Sequence, residues 1–142
     1  MTFRLAAVAA VLGLMLAGCG SGGPSAESVV RAWSHELNTG DNNGAANLFA
    51  PDAEVVQAGT TLRLKTHAQA VAWNAALPCS GRIVSITTHG NLARATFVLG
   101  NRPTSKCDGP GQRATAIFRV RKGKIVLWHQ AGSAPIPAGP TV

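Results

Sequence analysis

The chain has 142 residues, with 13 Lys plus Arg against 6 Asp plus Glu, giving a formal charge of +7. Hydrophobic residues make up 46% and charged residues only 13%, which excludes an acidic or charge-rich disordered chain. The length holds one globular domain and excludes barrels of roughly 250 residues and long repeat arrays.

Met1 to Arg4 carries a single positive side chain, and Leu5 to Ala17 is an apolar stretch of 13 residues. Crossing a hydrocarbon core takes about 20 residues, so this stretch has the form of an export signal. It closes on Leu16-Ala17-Gly18-Cys19, which resembles the lipobox of a bacterial lipoprotein, a Leu-x-Gly-Cys type sequence cut just before the cysteine. The resemblance implies a signal peptide over residues 1–18, diacylglycerol on the Cys19 sulfur and acylation of the new amine. It also implies a location on the outer face of the bacterial cytoplasmic membrane. Residues 19–24 read as the lipidated cysteine and a flexible Gly/Ser tether. Gly18, Gly20 and Gly23 form a literal Gly-x-Gly-x-x-Gly. It follows no strand and opens no βαβ unit, so it is not a dinucleotide signature. With Cys19 lipidated, Cys79 and Cys107 remain, and an exported context favours a disulfide between them. Neither sits in a Cys-x-x-Cys motif or beside a histidine, as a metal pair would.

Ser25 is a good N-cap and Glu27 stands in the first turn. Ala26, Val29, Val30, Trp33 and Leu37 then recur at helical spacing, and Thr39-Gly40 ends the helix. Asp41 caps a short second helix carrying Ala45, Ala46, Leu48 and Phe49, stopped by Pro51. Ala53 to Ala58 and Thr61 to Lys65 read as short strands around Gly59. Thr66 and Gln69 have capping-box form and open a third helix that runs to Leu77. Two long hairpins follow, Arg82–Thr88 with Leu92–Leu99 and Gln112–Arg121 with Lys124–Gln130. Strict alternation puts Val84 and Ile86 on one face with Ala93, Ala95, Phe97 and Leu99. In the second hairpin it groups Ala114, Ala116, Phe118 and Val120 with Ile125, Leu127 and His129 on the inner face. Ile117, Arg119, Val126 and Trp128 then fall outside. The domain covers 25–131, and the Pro/Gly-rich residues 132–142 read as a disordered tail.

The order is α+β: three N-terminal helices and a strongly bent, mostly antiparallel sheet. Three stretches in that order resemble the SnoaL-like and ketosteroid-isomerase-like branch of the nuclear-transport-factor-2-like fold. They are Val30-Arg31-Ala32-Trp33, then Gly40-Asp41 with Ala45-Ala46-Asn47-Leu48-Phe49-Ala50-Pro51-Asp52-Ala53, and Phe118 through Trp128. The resemblance implies a cone formed by a bent sheet around a long helix, with a pocket at its open end. Such a pocket would be lined by some of Trp33, Phe49, Val55, Leu62, Trp73, Phe97, Phe118 and His129.

Isomerases of that branch use a carboxylate base and an oxyanion hole that includes a tyrosine. This chain has no Tyr. The family's Phe-Ala-x-Asp-Ala-x-Val-x-Asp segment aligns with Phe49 to Gln57, so the base position holds Gln57, an amide that cannot take the proton. His129 is the best titratable candidate for a SnoaL-like isomerase, cyclase or hydrolase. No metal cluster, phosphate loop or cofactor motif is present in the sequence. Basic residues gather at the last hairpin, but without interleaved aromatics, so nucleic acid is not expected; an anionic membrane surface beside the anchor suits the charge. The sequence therefore reads first as a membrane-anchored, non-catalytic binding module for a small apolar ligand or a partner protein. The alternatives are an enzyme using His129 and an accessory domain of a cell-envelope complex. The latter would dock, or pair with a second copy, through the outer sheet face at Ile117, Arg119, Val126 and Trp128.

Overall fold

A computed structural model describes residues 23–132. The expected signal segment, Cys19 and the residues after Gly132 lie outside the described residues. Helix α1 spans Ala26–Thr39, with Ser25 accepting the Ser28 N–H at its start. Gly40 closes it in the left-handed conformation at φ 81°, where a side chain would be strained. Helix α2 is Asn42–Asn47, capped by Asp41, and α3 is His67–Ala76, opened by the Thr66/Gln69 capping box. The second helix stops before Phe49, which begins a strand instead of ending a helix.

The strands are β1 Phe49–Gln57, β2 Thr60–Leu64, β3 Cys79–His89, β4 Leu92–Asn101, β5 Arg113–Arg121 and β6 Lys124–Ala131. They form one sheet in the order β2-β1-β6-β5-β4-β3. Every neighbouring pair is antiparallel except β1 with β6, which is parallel. The hairpin between β5 and β6 turns on Lys122 and Gly123, both at positive φ (51° and 73°). That matches the backbone twist a two-residue hairpin favours. The apolar stripe of α1 lies in the concave face of this curved sheet. Val29, Val30, Trp33 and Leu37 pack there with Ala95, Phe97, Ala116 and Phe118 in one continuous core.

Two bulges change which residues reach that core. In β3, Ile83 pairs with Phe97 but Ser85 pairs with Thr96, leaving Val84 as an extra residue. Val84 is consequently exposed, and Ile83 takes the inward place that strict alternation gives to Val84. In β6, Val120 pairs with Ile125 but Arg119 pairs with Leu127, so Val126 is the extra residue. One extra residue reverses the facing of everything beyond it. Trp128 thus turns inward opposite Phe118 and is buried, while Leu127 and His129 turn outward. The expected inner position of His129 and outer position of Trp128 are both corrected by this single bulge.

The start of the domain is held against the same hairpin. A Cβ on Gly123 would come within 2.9 Å of Pro24 Cδ, and one on Gly23 would lie 3.5 Å from the Gly123 nitrogen. The last two residues of the expected tether therefore pack on the β5–β6 turn.

Candidate binding cavity

The concave face does not close completely. Between the C-terminal half of α1 and the far ends of the strands lies a cavity of about 210 Å³. Helix α1 contributes Trp33 and Leu37, and β4 contributes Phe97 and Leu99. Small residues on β5, Ala114 and Ala116, leave the space that larger side chains would fill. Leu77 and Pro78, where α3 gives way to β3, form another wall, and Trp128 and Gln130 of β6 a further one. Gln57, at the end of β1, reaches the same cavity.

The supports of the cavity are mostly polar. Ser34 and Asn38, one turn apart on α1, both donate to the Gly81 carbonyl at 3.0 Å, and the Gly81 N–H donates to Asn38 Oδ1 at 3.0 Å. The Asn38 amide thus completes the ladder of edge strand β3 and fixes that edge to the helix. Gly81 cannot carry a side chain here, because a Cβ would lie 2.9 Å from Phe97 Cβ. Trp33 donates its indole N–H to Asn74 Oδ1 at 2.9 Å, and Asn74, fully buried, donates back to the Ala70 carbonyl. These bonds lock the rotamer of the tryptophan that walls the cavity.

Arg102 completes the support. It is 4% exposed and donates Nη1 to the carbonyls of Asn74 and Leu77 at 2.7 and 2.9 Å, and Nη2 to Asn42 Oδ1. Its charge therefore sits on the carbonyl end of α3, where the helix dipole is negative. Burial lowers its pKa from the ordinary arginine value. The Cys79–Cys107 disulfide ties the start of β3 to the loop that carries Arg102, and Cys79 itself lines the cavity. Both sulfurs are spent in this bond, so their proximity to Asp108 makes no thiolate metal set.

The expected lining residues separate into three groups. Trp33 and Phe97 do wall the cavity. Val55 and Phe118, at 2% and 0% exposure, are filled core with no free surface. Phe49 and Trp73 meet edge to face with centroids 5.6 Å apart, and Trp73 meets Trp128 the same way at 5.0 Å. Neither Phe49 nor Trp73 lines the cavity, and Phe49 borders a separate groove. Leu62 belongs to the last strand of the sheet and is 50% exposed, since nothing packs over it. His129 stands on the convex face, level with Ile117 and Val56. It cannot serve as the pocket's acid or base. The reading of a His129-dependent enzyme loses its central residue for that physical reason.

Chemically, the cavity offers apolar contact and neutral hydrogen bonding. Asp108, exposed at the rim, is the one acidic or basic side chain among its described lining residues. Gln57 and Gln130 supply amides, which donate and accept but do not exchange protons at neutral pH. The Trp128 indole N–H is buried without a partner among the described residues. A buried unpaired donor costs about 1–3 kcal/mol.

Sheet order, bent sheet and enclosed helix define the cone of the nuclear-transport-factor-2-like fold. The family model for the SnoaL-like domain matches residues 30–128, and the chain belongs to that family. No curated protein sequence matches it. Among solved structures, it is similar to an NTF2-like protein of unknown function from Cytophaga hutchinsonii. The TM-score is 0.63 at 13% identity, covering 78% of this chain and 92% of that one. A putative polyketide cyclase from Sinorhizobium meliloti gives a TM-score of 0.59 at 19% identity, covering 73% and 94%. A protein with a ketosteroid isomerase-like fold from Catenulispora acidiphila, solved in complex with trimethylamine, gives 0.61 at 18% identity, covering 74% and 85%. At these identities the likeness establishes the fold.

Proposed function

We propose that the protein is an exported, lipid-anchored binding module whose cavity takes a small, uncharged and mainly apolar ligand without transforming it. The observation that carries this reading is the pairing of an apolar cavity with Gln57 at the place where the isomerase pattern has its carboxylate. Trp33, Leu37, Phe97 and Leu99 supply the apolar wall, and burial of ligand carbon against it is favourable by about 25 cal/mol per Å². Gln57 and Gln130 supply donors for one acceptor on the ligand. Abstraction of a proton next to a carbonyl needs a base and a preorganised donor for the resulting oxyanion. A glutamine in place of the base and the lack of any tyrosine argue against that chemistry. The anchoring half of the proposal rests on Leu16-Ala17-Gly18-Cys19 and the export signal before it.

Native mass spectrometry of the detergent-extracted protein tests both halves together. The expected result is acyl mass on Cys19 and a non-covalent adduct of low mass that the Ala114→Phe variant loses. Unmodified protein recovered from the medium would defeat the anchor. An adduct retained by Ala114→Phe would defeat the cavity as its site.

A further inference from the structure

Cationic side chains stand at both ends of the sheet: Arg82, Lys106 and Arg113 are exposed toward the cavity end, where Asp108 is exposed beside them. Arg121, Lys122 and Lys124 are all exposed at the β5–β6 turn. Lys124 also borders a groove of about 300 Å³ between the α2–β1 connection and the start of α3, and exposed Lys65 lines the same groove. Four cationic side chains therefore share one end of the domain. Glu27, just after the entry point, is paired with Arg31 at 2.8 Å, and among the described residues no carboxylate forms an ion pair with Lys65, Arg121, Lys122 or Lys124. Lys124 Nζ donates to the Asn47 carbonyl, a neutral partner that leaves its charge uncompensated.

This is also the end at which the chain enters the domain. Gly23 and Pro24 pack on Gly123, at the tip of the same turn. Cys19 precedes Gly23 by four residues, and four residues span at most about 14 Å when fully extended. A lipid on Cys19 thus holds the Arg121–Lys124 turn close to the bilayer. The cavity lies at the other end. From Pro24 to Leu37 the helix rises about 20 Å, and from Arg121 back to Thr115 the strand runs about the same distance.

We infer that the cationic turn is a membrane-facing foot: Arg121, Lys122, Lys124 and Lys65 rest on anionic lipid headgroups and hold the cavity mouth away from the membrane. This rests on the lipid-anchor reading above. The short tether and the docked entry point select this orientation, and the cationic turn suits it. A neutral or acidic turn on the same tether would leave the domain free to tumble. The foot fixes it, and a ligand then enters from the side facing away from the bilayer.

The mature chain has four lysines, Lys65, Lys106, Lys122 and Lys124, which makes the inference directly testable. Lys106 is exposed in the disulfide-tied loop at the cavity end and serves as an internal control. Lipidated protein is reconstituted into phosphatidylcholine vesicles with and without phosphatidylglycerol, then labelled with an amine-reactive reagent and read by peptide mass spectrometry. With phosphatidylglycerol, Lys122 and Lys124 should react about fivefold more slowly than in neutral vesicles, with Lys65 following them. Lys106 should react alike in both, and molar salt should abolish the difference. In the variant R121Q/K122N/K124Q, which keeps a residue tolerant of positive φ in the turn, Lys65 should lose its protection. Equal reactivity of all four lysines in wild type, or protection of Lys106 instead, would overturn the orientation. The intact mass of the same sample separates the two levels: missing acyl mass overturns the anchor and the foot with it, whereas acyl mass with uniform labelling overturns the foot alone.

Discussion

The two ends of the β5–β6 hairpin do opposite work. At the turn, Arg121 pairs with Lys124 across Lys122 and Gly123, and the outward side chains are cationic. At the far end the same strands present Ala114, Ala116, Trp128 and Gln130 to an apolar cavity. Between them sits the Val126 bulge. It lets a regular, charged turn and a correctly faced cavity wall exist on one pair of strands. The difference teaches that a local irregularity, rather than the composition of the strand, decides which residues form the site.

Truncating Trp128 breaks this arrangement most severely. The Val126 bulge sets its indole opposite Phe118 in the core, where it is buried. Trp128→Ala should lower stability by about 3–5 kcal/mol. Urea denaturation should show loss of the cooperative transition or a much lower midpoint. A midpoint equal to wild type would mean that Trp128 does not face the core.

The cavity end depends on its crosslink in a way the turn end does not. Cys79 and Cys107 are separated by 28 residues, and chain-entropy reasoning gives the bridge a stabilisation of about 3–4 kcal/mol. The double variant C79A/C107A should therefore unfold at clearly lower denaturant. It should also expose the amides of 100–112 to hydrogen exchange before those around Lys122. Uniform loss of protection over both ends would show that the bridge stabilises the whole domain equally.

Much of the scaffold was legible from residues alone. Ser25, Gly40 and the Val29-Val30-Trp33-Leu37 stripe delimit α1, because caps and periodicity are local properties. Thr66 with Gln69, and Lys122 with Gly123, mark a helix start and a turn for the same reason. The cavity was only partly legible. Gln57 was found by alignment with the family segment, and Trp33 and Phe97 by their apolar placement. His129 and Trp128 exchanged faces, since the extra residue at Val126 has no distinctive side chain to announce it. Asn38 and Arg102 were missed altogether. Their partners, Gly81 and the carbonyls of Asn74 and Leu77, are tens of residues away and become neighbours only in the folded chain.

The smallest effect is expected at His129. Because it is exposed on the convex face, His129→Ala should change stability by no more than about 0.5 kcal/mol. Ligand affinity should not change. A large loss of ligand binding in this variant would place the ligand outside the cavity described here.

The central claim is that the far end of the hairpin encloses a site for apolar ligands. Titration with an apolar fluorescent probe, followed through quenching of tryptophan emission, tests it most directly, since Trp33 and Trp128 both wall the cavity. Wild type should show saturable quenching. Ala114→Phe, which fills the cavity from β5, should weaken binding about tenfold or more while leaving the unfolding transition cooperative. Equal saturable quenching in wild type and Ala114→Phe, or none in wild type, would contradict the account.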